Sequence, residues 1–259
     1  MNSWSARIVA GVSSETMTHP VIRIYPDETS LFRAAADTIA ASLHARLLAQ
    51  QKTGFVLAGG KTPACVYGIL ADSCADIDWA RVEFFWSDER CVPPDNEKSN
   101  YHLAYQHLLS RIPVPEVNLH RIEAELPDRE SAALRYQDAI QSALPGPALP
   151  SFDLVLLGMG EDGHTASIFY DTAWKESRLV VPSHAPCPPF ERISMTPKLL
   201  NAAREVIFLV SGAGKASALR EVLQNPFCTY PAKKIQPVPG TLVWMVDSAS
   251  AAFLTTQTK

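Results

Sequence analysis

The sequence predicts an α/β protein built on an open, mostly parallel sheet with helices on both faces, and three observations carry that expectation. Short, nearly continuous apolar runs recur along the chain, as in strands buried on both sides. Most of these runs end in a Gly-rich or charged turn, and the turns lead into segments with helical periodicity, the alternation expected of parallel sheets. The chain has 259 residues and is 47% apolar, enough for one large core.

Taken in order, residues 21–25 read as a first strand. Residues 27–51 read as a long amphipathic helix, with Leu31, Phe32, Ala35, Ile39, Leu43 and Leu47 on one stripe. A strand at 54–57 ends in Ala58-Gly59-Gly60-Lys61-Thr62-Pro63, ahead of a helix at 64–70. Two glycines at a strand-to-helix turn expose backbone N–H groups, and the helix N-terminus favours anions, so phosphate is the natural guest. An ordinary tight turn is the alternative, and the spacing is not that of a Walker loop. The strand at 82–86 delivers Ser87-Asp88-Glu89-Arg90, then Ser99-Asn100 before a helix at 101–109. Residues 130–143 form another helix, and a Pro-rich connection leads to the strand at 152–157. Residues 170–189 read as an irregular, proline-rich excursion. A short strand is expected at 193–195, with Thr196 and Pro197 opening a helix. The strand at 205–210 leads into Ser211-Gly212-Ala213-Gly214-Lys215 and a helix at 216–223, and a strand at 241–246 closes the sheet. No repeat or linker divides the chain. The expectation is a flexible segment at 1–20 and one Rossmann-like domain over 21–259.

The stretch Phe152 to Phe169 is the centre of the chemistry. After its buried strand, Gly158, Gly160 and Gly163 free the backbone while Glu161, Asp162 and His164 put titratable groups on one turn. Ligands of open α/β sheets bind at the carboxyl ends of strands. The glycines satisfy G-x-G-x-x-G, but no helix opens directly after them and no acid follows at the ribose-binding distance, so the match is read as coincidental. Arg90 is suited to hold an oxyanion or a carbonyl oxygen, and Lys215 at a Gly-rich turn is a second phosphate contact.

The net charge of −4 argues against a nucleic-acid surface. No secretory leader and no apolar stretch of membrane-spanning length is present, so a soluble, cytoplasmic protein with no membrane partner is expected. Cys65, Cys74, Cys91, Cys187 and Cys228 are scattered and odd in number, which favours reduced thiols. His184 and Cys187 lack two further ligands at suitable spacing, so no metal site is expected.

Five separated motifs together resemble 6-phosphogluconolactonases, within the wider glucosamine-6-phosphate isomerase/lactonase superfamily. They are the 58–63 loop, Ser87-Asp88-Glu89-Arg90 with Ser99-Asn100, the run from Gly158 to Ser167, Arg192-Ile193-Ser194-Met195-Thr196, and the 211–215 loop. The resemblance implies hydrolysis of 6-phosphoglucono-1,5-lactone to 6-phosphogluconate in the oxidative pentose phosphate pathway, without metal or organic cofactor. It implies His164 as the general base, Arg90 polarising the carbonyl, and Asp162 ordering the central turn. Arg192, Lys215 and the loop of Gly59, Gly60, Lys61 and Thr62 would hold the phosphate. The partner is then a small phosphosugar lactone, and a monomer is expected. Two departures stand out: Ala58 and Lys61 replace serines of the usual glycine loop, and Tyr170 stands where a proline is common. A deaminase-like isomerase on the same fold would need a further carboxylate after the histidine, where this chain reads Thr165-Ala166-Ser167-Ile168-Phe169. A non-catalytic sugar-phosphate sensor is the third reading, with no helix-turn-helix segment ahead of the fold to support it.

Overall fold

A computed structural model describes residues 7–9, 20–74, 76–145, 149–169 and 177–255. In chain order its elements are β1 (Arg7–Val9), β2 (Val21–Tyr25), α1 (Glu28–Ala49), β3 (Thr53–Leu57), α2 (Lys61–Ser73), β4 (Val82–Trp86), β5 (Asp88–Arg90), α3 (Asn100–His107), β6 (Leu119–His120) and α4 (Arg129–Ala143). There follow β7 (Leu154–Leu157), β8 (Val180–His184), β9 (Glu191–Met195), α5 (Pro197–Leu200), β10 (Glu205–Val210), α6 (Ala216–Gln224) and β11 (Thr241–Asp247).

The main sheet runs β1-β2-β11-β10-β7-β3-β4-β6. Every pairing from β2 to β6 is parallel, and only β1 joins antiparallel. The inner strands β3, β4 and β7 are buried along their whole length, as their unbroken apolar runs require. Phe208 of β10 and Trp244 of β11 are register partners and stack at 3.9 Å, filling the layer between neighbouring strands. In α1, Asp27 accepts from Ser30 N at 2.7 Å as N-cap, and the buried stripe is Leu31, Ala35, Ala36, Ile39, Leu43 and Leu47. Phe32, expected on that stripe, is only half-buried.

A second sheet of three antiparallel strands, β5-β9-β8, lies beyond the end of β4. It corrects the reading of residues 170–189 as irregular, because β8 falls inside that stretch. The polar residues and Pro182 hid it: Pro182 is tolerated because β8 is an edge strand. Strand β9 is likewise longer than expected, starting at Glu191. Strand β1 lies inside the segment set aside as flexible, while residues 10–19 and Tyr170 fall outside the described residues.

Candidate active site

The carboxyl ends of β3, β4, β7 and β10 lie side by side, and their loops enclose a cavity of about 380 Å³. Its walls are the 58–63 loop, Ser87, Asp88, Arg90, Asn100, residues 158–160, His164, Ala166, residues 209–211 and Lys215.

The loop after β7 is shaped around His164. Gly160 N donates to His164 O at 2.8 Å and Gly163 N to Gly160 O at 3.1 Å, which folds the turn back on itself. Gly160 is obligatory, because a Cβ there would stand 2.1 Å from His164 Nδ1. Gly163 has φ +77° and lies against the Tyr230 ring, where a Cβ would come within 2.4 Å. Ala166, on the cavity wall, also adopts a positive φ of 49°, an uncommon conformation for a residue with a side chain. His164 Nδ1 lies 2.5 Å from Asp162 Oδ1, which also accepts from His164 N at 3.2 Å. An ionised carboxylate there calls for N–H at Nδ1, which leaves the lone pair on Nε2. Burial raises the Asp162 carboxyl, but the charge of His164 and the hydrogen bonds from its N–H and ring outweigh it, so Asp162 ends below the ordinary range.

After β4 the chain turns directly into β5, which carries three charges with three environments. Asp88 is buried on the cavity wall, taking Ser167 Oγ at 2.5 Å and, more loosely, Ser87 Oγ and Asn100 Nδ2 at 3.3 Å. Glu89 is buried under α3 and takes four donors: Arg90 N, Asn100 N, Tyr101 N and Ser99 Oγ. Burial pushes its carboxyl up against the pull of those donors. Arg90 reaches the cavity while donating from Nη1 to Lys98 O at 2.6 Å.

Arg192, just ahead of the strand expected at 193–195, lies inside a strand of the second sheet. It is the second residue of β9, directly across from Arg90, and it is absent from the described cavity wall. Paired residues of antiparallel strands share a face, so the two guanidiniums are neighbours. Burial, and after it the Arg90 charge, hold Arg192 below the ordinary guanidinium range. The Nε atoms of both arginines are buried without a hydrogen-bond partner among the described residues.

The two glycine loops match their expected positions. Gly60, at φ +106°, is the N-cap of α2, and the first helical bond runs from Ala64 N to Gly60 O. The N–H groups of Lys61 and Thr62 therefore have no partner within the helix and border the cavity. Lys215 ends a 3₁₀ turn at the start of α6 and lines the cavity opposite the α2 loop. Behind it, Asp247 holds the loop by accepting Ser211 Oγ at 2.8 Å and Gly212 N at 3.0 Å. Residues 59–62, Arg90, His164 and Lys215 thus meet in one cavity, with Asp162 on the His164 ring and Arg192 one strand away. Asp88 and Asn100 were given no role by the sequence; their place on the cavity wall depends on the β4–β5 turn and on the start of α3.

Among the described residues no group of three side chains is placed to hold a metal, no helix is long and apolar enough to cross a membrane, and all five cysteines are free.

Residues 26–244 match the family model for glucosamine-6-phosphate isomerases and 6-phosphogluconolactonases. A 6-phosphogluconolactonase of Homo sapiens is 44% identical over 68% of this chain and 69% of its own length. One from Nostoc sp. is 35% identical over 90% of this chain and 98% of its own. The solved structure of 6-phosphogluconolactonase from Trypanosoma cruzi superposes with a TM-score of 0.84 at 28% identity, covering 92% of this chain and 98% of that one.

Proposed function

The chain belongs to the glucosamine-6-phosphate isomerase/6-phosphogluconolactonase family, and on that premise we propose that it hydrolyses 6-phosphoglucono-1,5-lactone to 6-phosphogluconate. The observation that carries the reading is His164, held 2.5 Å from Asp162, on the wall of a cavity that also receives Arg90. A lactone is an activated ester, so opening it calls for a positioned water, a base and stabilisation of the carbonyl oxygen.

His164 Nε2 takes a proton from water as the water oxygen bonds to the lactone carbonyl carbon. Arg90 stabilises the negative charge that gathers on the carbonyl oxygen. Collapse of the tetrahedral intermediate breaks the bond to the ring oxygen, which receives its proton from the His164 imidazolium. Asp162, ionised, stabilises that imidazolium and keeps the ring oriented. The N–H groups of Lys61 and Thr62, which have no partner within α2, and the Lys215 ammonium hold the phosphate, with Arg192 adding charge beside Arg90.

An isomerase needs a free carboxylate to move a proton between carbons. Asp88 is a carboxylate on the cavity wall, but Ser167, Ser87 and Asn100 already donate to it. Freshly generated 6-phosphogluconolactone, with spontaneous hydrolysis subtracted, should be hydrolysed, and glucosamine 6-phosphate should release no ammonia. Ammonia without lactonase activity would assign the isomerase chemistry instead, and tight phosphosugar binding without turnover would assign a sensor.

A further inference from the structure

One residue of the cavity wall carries a buried acceptor with no donor among the described residues. Asn100 is 1% exposed, opens α3 and lines the cavity. Its amide is oriented by its neighbours: Nδ2 donates to Asp88 O at 2.9 Å and to Asp88 Oδ1 at 3.3 Å. Both of those are acceptors, so exchanging the amide oxygen and nitrogen would set acceptor against acceptor. The two N–H bonds are spent, and Oδ1 is left buried without a partner among the described residues. Gly59 provides the room for it, since a Cβ at Gly59 would stand 1.8 Å from Asn100 Oδ1. The missing side chain at Gly59 is therefore explained by Asn100 as well as by the turn.

We propose that Asn100 Oδ1 accepts a hydrogen bond from a hydroxyl of the sugar lactone, which makes Asn100 a specificity-determining residue; this rests on the lactone reading of the site. The chemistry of the atom narrows its partner. An ionised phosphate, a lactone carbonyl and a ring oxygen all present acceptors, and only the hydroxyls on C2, C3 and C4 can donate. A buried acceptor left unpaired is costly, so a site built this way rejects an analogue that lacks the hydroxyl much more than one that merely fills space differently. Asn100 thus reads the hydroxyl pattern, separately from the cations that read the phosphate and from the His164 turn that moves protons.

The test compares wild type, Asn100→Ala and Gly59→Ala on 6-phosphoglucono-1,5-lactone and on its 2-, 3- and 4-deoxy analogues, each with spontaneous hydrolysis subtracted. In the wild type, kcat/KM should fall for one deoxy lactone by about tenfold to a hundredfold, the range set by an unpaired buried acceptor. In Asn100→Ala the parent lactone should lose a similar factor, while the discrimination against that same deoxy lactone disappears. Gly59→Ala, which displaces the amide without removing it, should lose the same discrimination and serves where Asn100→Ala fails to fold. The ratio within each variant is insensitive to a general loss of folded enzyme. If all lactones fall alike in both variants, or if the wild type uses every deoxy lactone as well as the parent, Asn100 does not read a hydroxyl. A wild type that turns over no lactone at all would overturn the lactone reading itself, an outcome distinct from an active enzyme without discrimination.

Discussion

In the proposed reaction the chemistry at His164 turns on which ring nitrogen is free, and the Asp162 contact bears on that choice. With N–H held at Nδ1, Nε2 can take the proton of water, a role Arg90 cannot fill because a guanidinium stays protonated. General-base assistance contributes about 10²–10⁴-fold, so His164→Ala should lower kcat by an amount in that range. Retention of kcat would place the base elsewhere. Lys215, outside the His164 turn, should behave differently from it. A charge-assisted hydrogen bond contributes roughly 1.5–3 kcal/mol, so Lys215→Ala should weaken use of the phosphorylated lactone about tenfold to a hundredfold. Unphosphorylated gluconolactone should be spared. An equal loss on both lactones would remove Lys215 from the phosphate site.

Among the elements, α3 depends on an acid from outside the helix. Glu89 accepts from Asn100 N at 2.7 Å and Tyr101 N at 2.8 Å, two of the N–H groups that a helix start leaves open, and from Ser99 Oγ at 2.9 Å. Glu89→Gln keeps the shape but turns an NH₂ group toward those donors. We expect a loss of roughly 1.5–3 kcal/mol in urea unfolding, the worth of a hydrogen bond to a charged group, with faster amide exchange at the start of α3. A change within experimental error would show that water replaces the carboxylate. This is also where legibility ran out. The inner parallel strands β3, β4, β7, β10 and β11 were readable because burial on both faces demands continuous apolar runs, whereas β6, two residues long, offers no run to read; the loops that follow β3, β7 and β10 were readable because glycine and charge cluster there. Strands β5 and β8 were not, because Asp88–Arg90 is wholly charged and β8 carries Pro182, Ser183 and His184. Their identity as strands comes from pairing with β9, a partner at a distance in sequence that no local pattern reveals. The position of Arg192 opposite Arg90 was lost for the same reason.

For the whole molecule, Asp247 at the end of β11 ties the closing strand to the loop that bears Lys215. It accepts from Ser250 N at 2.7 Å as well as from Ser211 and Gly212, and Glu28 Oε1, 2.6 Å from Ser211 Oγ, is the alternative acceptor for that hydroxyl's one proton. Burial raises the Asp247 carboxyl, yet the bonds from Ser250, Ser211 and Gly212 outweigh it and leave it below the ordinary range. A depressed carboxyl stabilises the fold above its unfolded pKa, near ~3.9, and that stabilisation is lost as pH falls through the folded value. Urea unfolding of wild type and Asp247→Asn from pH 6 to 3 should therefore show a gap that closes at the acid end. A gap constant over that range would mean that the carboxylate charge plays no part.

The order of the main sheet also governs how the chain is assembled in time. β2 pairs with β11, joining Val21 to Val243 and Trp244 to Ile22, and β3 pairs with β7, joining Phe55 to Leu154. Neighbours in space are thus far apart in sequence, a topology of high contact order that folds slowly. During synthesis, β2 has no parallel neighbour until the last strand has left the ribosome. Until then the nascent chain carries an open apolar sheet edge, the kind of surface that chaperones cover and that other chains can capture.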